Sequence, residues 1–269
     1  MGTNRPAFAL RSVFLAGTVK NSGAVFFLAP IAKNGDSGFM AYPGGKNGSG
    51  VYQTIINLMP PHDTYIEPFL GGGAIMRLKR PARVNIGIDR DPEALQHFEA
   101  CTAENGDAEG ASGSRTVIND DGLGFLERYA FTGRELVYCD PPYLHETRST
   151  PDLYRFELAE ADHARLLAII RGLPCMVMIS GYWSQLYADE LAGWNSASYQ
   201  AMTRAGKPAT EWLWFNYPEP IALHDYGFLG GDYRERERIK RKKQRWISRL
   251  ETMPLLERRA LLSAIGRIS

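Results

Sequence analysis

The sequence predicts a doubly wound, Rossmann-like α/β fold with a small helical segment at its C-terminal end. Three observations carry this. Short apolar runs of strand length alternate with amphipathic stretches of helix length between Val51 and Tyr217, the pattern of a mostly parallel sheet with crossover helices. The first run leads into a glycine-rich turn, Gly71-Gly72-Gly73, which lets a ligand approach the backbone closely. Three of the runs end on acids, Glu67, Asp89 and Asp140. Ligands of open α/β sheets lie outside the carboxyl ends of the strands, so the three acids share one predicted location.

Taken in order, the chain first carries Tyr42-Pro43-Gly44-Gly45-Lys46, a turn with an aromatic ring and a cation. A helix is expected over Val51–Leu58, then a strand over Thr64–Glu67 and, past the glycines, a helix over Ala74–Leu78. The run Arg83–Ile88 reads as the second strand, and Asp89 at its end is placed to bind ribose hydroxyls. Helix Pro92–Glu99 follows, then a small, polar, glycine-rich loop from Glu104 to Ser114. Strand Arg115–Asn119, helix Leu123–Tyr129 and strand Glu135–Cys139 come next. Helix Glu160–Arg171, strand Cys175–Ser180, helix Trp183–Leu191 and strand Glu211–Tyr217 complete the alternation.

Asp140-Pro141-Pro142-Tyr143 is the most informative feature. It follows the buried-strand run Leu136-Val137-Tyr138-Cys139 and makes a rigid polar turn beside a flat ring. Proline has a fixed φ and no N–H to donate, and it restricts the residue before it. The carbonyls of Asp140 and Pro141 are therefore left to accept hydrogen bonds from elsewhere. The exocyclic amino group of a nucleobase suits that arrangement, with two donors meeting two acceptors and the base stacked on Tyr143. The plain alternative is a strand-ending turn with a surface tyrosine.

Pro43-Gly44-Gly45-Lys46, the loop Pro68-Phe69-Leu70-Gly71-Gly72-Gly73, Asp89 and Asp140-Pro141-Pro142-Tyr143 stand in the order found in the Dam-like adenine-N6 DNA methyltransferases. The chain resembles that class from about Tyr42 to Pro218, and its basic tail is similar to that of compact phage and prophage enzymes. The resemblance implies a methyltransferase sheet, S-adenosylmethionine as cofactor and DNA as partner. It places Tyr42, Lys46, Phe69, Asp89 and Asp140 on the cofactor side, where Glu67, Gly71 and Gly73 also fall by their position on the first turn. Asp140, Pro141, Pro142 and Tyr143 become the catalytic set. Direct in-line attack by the amino nitrogen is expected, on a base taken out of the duplex. The same motif also serves cytosine N4 and RNA adenine, and a DNA-binding protein that keeps the fold without turnover is the reading of another class.

One departure from that class bears on specificity. Only about fifty residues separate Asp89 from Asp140, too few for the separate target-recognition region of its larger members. Sequence reading is expected instead from the loop His145–Glu157 with Arg148, the segment Ala197–Ala209 with Arg204 and Lys207, and the tail.

The composition fits an enzyme with a sizeable core: 269 residues, 44% hydrophobic. Cys101, Cys139 and Cys175 show neither metal-ligand spacing nor a disulfide framework. That usage suits a reducing, cytoplasmic setting. No metal site and no membrane span are expected. Charge is segregated. Residues 227–269 hold 12 Lys and Arg against 5 Asp and Glu, whereas the preceding 226 residues hold 19 against 25. Arg241, Lys242, Lys243 and Arg245 mark the densest part of a basic amphipathic helix. Pro254 should open a second helix capped by Thr252 or Met253. The competing readings are a solvated hairpin packed on the domain and a phosphate-contacting surface. The chain is accordingly divided into an N-terminal extension (1–39), a methyltransferase-like domain (40–226) and the tail (227–269). Within the extension, Ser12–Val19 and Ala24–Ala32 could form a hairpin, with a turn-rich linker after it.

Overall fold

A computed structural model of the chain describes residues 45–48, 50–105, 113–148, 155–202 and 208–268. The expected N-terminal hairpin and the boundary at 39/40 lie outside these residues, as do Tyr42, Arg204 and Lys207.

The predicted class is the observed one. Seven strands form one sheet in the order β3-β2-β1-β4-β5-β7-β6. They are β1 (Thr64–Glu67), β2 (Val84–Asp89), β3 (Ser114–Asn119), β4 (Glu135–Cys139), β5 (Met176–Gly181), β6 (Asn195–Met202) and β7 (Pro208–Phe215). The first five are mutually parallel, and β7 returns antiparallel beside β5. The strand order reverses between β1 and β4, which opens the crevice where such sheets bind ligands.

Strand periodicity builds two cores. Ile66, Val137, Cys139, Val177, Ile179 and Trp214 point to one face. They meet Leu123, Phe125 and Leu126 of α4 (Gly122–Arg128), Leu166, Leu167 and Ile170 of α5 (Glu160–Gly172) and Tyr187 of α6 (Gln185–Glu190). Their sequence neighbours Tyr65, Leu136, Tyr138, Met178, Leu213 and Phe215 point to the other. There they meet Val51, Ile55 and Ile56 of α1 (Val51–Ile56), Ile75 and Met76 of α2 (Ala74–Leu78), and Leu95 and Phe98 of α3 (Pro92–Asn105). Because successive strand side chains alternate faces, each continuous apolar run feeds both layers.

Several elements differ from expectation, among them β7, which starts three residues earlier and ends two residues earlier than the expected Glu211–Tyr217. α3 runs on to Asn105, six residues past the predicted end. α6 starts at Gln185 because Ser184 caps it, its hydroxyl oxygen accepting from the Tyr187 N–H at 3.3 Å. β6 was not anticipated: Asn195-Ser-Ala-Ser-Tyr-Gln-Ala-Met has no apolar run. It is an edge strand paired over its whole length with β7, from Asn195↔Phe215 to Met202↔Pro208.

The tail forms α7 (Tyr233–Thr252) and α8 (Leu255–Ile265), and neither buries a residue. Asp232 caps α7 by accepting from the Glu235 N–H at 2.8 Å. The expected capping of the second helix by Thr252 or Met253 is not what forms. Thr252 ends α7 with its hydroxyl on the Ser248 carbonyl, Met253 is the C-cap, and Pro254 precedes α8 without a side-chain cap bond. At the start of the tail, Phe228 anchors the chain to α1. Its ring meets Tyr52 edge-on at 5.2 Å, and its carbonyl accepts from Asn57 Nδ2 at 2.8 Å.

Candidate active site

The turns after β1, β2, β3 and β4 converge on a cleft of about 820 Å³, its open mouth included. The β1 turn supplies Glu67, Phe69 and the three glycines, the β2 end Asp89, the β3 end Asp121 and Leu123, and the β4 end Asp140 and Pro142. Lys46, Phe156 and Leu158 complete the wall. Every sequence-predicted cofactor residue among those described therefore lines this one cleft.

The turn after β1 depends on missing side chains. Gly73 sits at φ +57°, and a Cβ there would lie 2.2 Å from the Phe98 ring. Across the cleft, a Cβ on Gly122 would lie 2.2 Å from the Pro68 carbonyl oxygen. Only glycine allows both approaches. Asp89 holds the turn from the neighbouring strand: Oδ2 accepts the Gly71 N–H at 2.7 Å and Oδ1 the Asp91 N–H at 2.8 Å. Each oxygen retains a lone pair for a ligand. Burial is the main influence on this carboxyl and raises its pKa. Glu67 is more deeply buried and hydrogen-bonded by the Tyr65 hydroxyl at 2.9 Å. Desolvation pushes its pKa up to about 8. Lys79, whose ammonium lies 4.0 Å from the Tyr65 ring centre, is pushed down to about 7 by the same burial.

Asp140 stands at the centre of a second, drier network. Its Oδ1 accepts from Lys46 Nζ at 2.9 Å and from the Ser180 hydroxyl at 2.6 Å. No described residue donates to Oδ2 or to the Pro141 carbonyl. Lys46 also donates to the Tyr143 hydroxyl at 2.7 Å and lies 3.3 Å from Glu211 Oε2. Its three N–H groups are thus all engaged by protein. Tyr143 and Tyr199 both donate to Glu211 Oε2, at 2.8 and 2.9 Å. Burial alone would lower the Lys46 pKa, but the Asp140 and Glu211 carboxylates outweigh it and hold it well above the usual lysine value. Burial alone would raise Glu211, but Lys46 and the two phenols keep it below the usual carboxylate value. Both groups are therefore charged.

Tyr143 is 8% exposed, packs edge-on against Tyr182 at 4.8 Å, and lies outside the cleft lining. Arg148, expected at a nucleic-acid surface, is used internally. Its side chain is 5% exposed and forms two hydrogen bonds to Glu157, at 3.0 and 2.7 Å. Arg241, Lys242, Lys243 and Arg245 are all exposed on α7. Cys139 is fully buried in β4, and desolvation raises its thiol pKa. Sequence reading missed Ser180, Tyr199, Glu211 and Asp121. For Asp121 an acid just past the third strand was a usable signal. For the other three no local pattern exists.

No family model matches the chain, and no characterised protein matches its sequence. Among solved structures it is similar to a conserved hypothetical protein of Streptococcus pyogenes, at 14% identity and TM-score 0.43 over 65% of this chain and 99% of that one. It is also similar to an rRNA methylase of Streptococcus thermophilus, at 11% identity and TM-score 0.41 over 62% and 93%. A third likeness is to a SAM-dependent methyltransferase of Agrobacterium tumefaciens, at 14% identity and TM-score 0.41 over 62% and 59%.

Proposed function

We propose that the protein transfers a methyl group from S-adenosylmethionine to the N6 amino group of adenine in DNA. The observation that carries this reading is the state of Asp140. One carboxylate oxygen is held by Lys46 and Ser180, while the other oxygen and the adjoining Pro141 carbonyl have no donor among the described residues. Two acceptors on consecutive residues match in number the two hydrogens of an amino group. Adenine N6 is a poor nucleophile because its lone pair is delocalised into the ring. Acceptors that hold both hydrogens favour a pyramidal nitrogen, and that interaction strengthens as the new bond forms. Lys46 and Ser180 hold the Asp140 carboxyl group in place, so little reorganisation is needed during reaction.

The cleft residues fit the cofactor chemically. Glu67, Asp89, Asp91, Asp121 and Asp140 present carboxyl groups, and Phe69, Leu70, Phe156 and Leu158 present apolar walls. Carboxyl oxygens suit ribose hydroxyls, and apolar walls suit an adenine ring. When bound, S-adenosylmethionine supplies an electrophilic methyl on a good leaving group. The chain's part is to hold the amino group, exclude water and present Asp89 and the glycine turn to the cofactor.

DNA as partner is supported by the basic residues of α7. Incubating DNA and RNA separately with labelled cofactor, then digesting them for mass spectrometry, tests the whole reading. N6-methyladenine in DNA is the expected product. N4-methylcytosine, or label confined to RNA, would replace the substrate, and no label in either would favour a binding protein. Asp140→Ala should lower transfer by about 100-fold or more while leaving circular dichroism unchanged. Near-normal turnover by that variant would defeat the assignment.

A further inference from the structure

We propose that Glu211, on the antiparallel strand β7, is a positioning residue for this chemistry: it draws Lys46 and Tyr143 to itself, leaving one Asp140 oxygen clear for the incoming amino group. The inference rests on the amino-transfer reading of Asp140. Glu211 lies 68 residues beyond Tyr143 and far beyond Lys46, yet its Oε2 takes hydrogen bonds from Tyr143 and Tyr199 and an ion pair from Lys46. It directly precedes the run Trp212-Leu213-Trp214-Phe215, whose own side chains build the two cores. A carboxylate placed there without partners would be costly to bury. Its place is explained by what it holds.

The geometry gives the role. Lys46 stands between two carboxylates, 2.9 Å from Asp140 Oδ1 and 3.3 Å from Glu211 Oε2. With Glu211 neutralised, the buried ammonium has one anionic partner left and is drawn wholly onto it. A lysine centred on Asp140 competes with the amino group for the open oxygen. The Tyr143 hydroxyl loses its anionic acceptor at the same time. Tyr199, on edge strand β6, donates to the same Glu211 oxygen and fixes it from the far side. Among the described residues, the groups facing Lys46 are Asp140 and Tyr143 from the end of β4, Tyr182 after β5, Tyr199 on β6 and Glu211 on β7. Two of these are carboxylates, so replacing Glu211 halves the anionic support of the lysine.

The test compares full-length wild type with Glu211→Gln, which keeps volume and an acceptor for the two phenols. Methylation of mixed-sequence DNA is followed across pH, beside binding of tritiated S-adenosylmethionine and thermal unfolding. The variant is expected to lose on the order of 10- to 100-fold in kcat with KM for DNA nearly unchanged. Its activity should also fall off at a lower pH on the alkaline side, because burial then acts on a lysine with less opposing charge. Tyr199→Phe should give the same pattern more weakly. An unchanged kcat and pH profile overturns the proposal. So does a parallel loss of folding and cofactor binding, which would make Glu211 a fold determinant. Absence of amino-group methylation by the wild type would instead sink the parent reading.

Discussion

Glu67 shows how burial alone can set a protonation state at the rim of a cleft. It is 3% exposed, its pKa is pushed up to about 8 by desolvation, and the Tyr65 hydroxyl and Lys79 only partly offset this. The folded protein therefore keeps a proton that the unfolded chain loses above its ordinary value near 4.5. Stability from this group is complete below that value and is lost as pH rises toward 8. Lys79, pushed down to about 7, is charged in both states below neutrality and does not reverse the sign there. Glu67→Gln removes the dependence. Between about pH 5 and pH 7 its stability relative to wild type should grow by about 1.4 kcal/mol per pH unit, read from urea unfolding at each pH. A constant difference across that window would show that Glu67 is ionised in the fold. Asp140 is held differently, with Lys46 and Ser180 both donating to one of its oxygens.

At the scale of elements, the turn between β1 and α2 is the most constrained. Gly73 combines a left-handed backbone with close approach to the Phe98 ring, so a methyl group is opposed twice. Gly73→Ala should lower stability by about 1–3 kcal/mol. Calorimetric titration should also show weaker S-adenosylmethionine binding, because the turn displaced is the one that lines the cleft. Retained affinity and melting temperature would mean that the turn relaxes without consequence. The hairpin of β6 and β7 matters for another reason. Its polar edge strand, which looks like loop in the sequence, carries Tyr199 and its inner strand carries Glu211, so the hairpin supplies the second carboxylate of the Lys46 network and one phenol that donates to it.

At the scale of the molecule, charge is divided between an acidic body and a basic arm. The arm's helices bury nothing, and Arg241, Lys242, Lys243 and Arg245 are exposed. Neutralising those four should leave the unfolding transition where it is. The salt dependence of DNA binding should flatten by about 0.9 in log–log slope for each duplex phosphate that the arm no longer neutralises. Cofactor affinity should not change, since α7 contributes nothing to the cleft lining. An unaltered salt slope in the folded variant would leave the arm as a solvated helical hairpin.

Most of the sheet was legible in the residues. Strands β1 and β4 fall within the predicted bounds, and the glycine turn and strand-ending acids lie where alternation placed them. These are local properties: side-chain period, a turn that needs glycine, a proline pair with no N–H. Strand β6 was illegible because an edge strand needs no apolar run; its backbone is ordered by pairing with β7. The network around Asp140 was illegible for a related reason. Ser180, Tyr199 and Glu211 are ordinary residues in their own segments, and no spacing links them to position 46 or 140. They meet because β5 runs parallel beside β4 and β7 turns back antiparallel beside β5. By itself the sequence determined which segments become strands and which chemistry ends them. The tertiary structure decided which charges share a buried site, because only folding removes the water that would otherwise separate them.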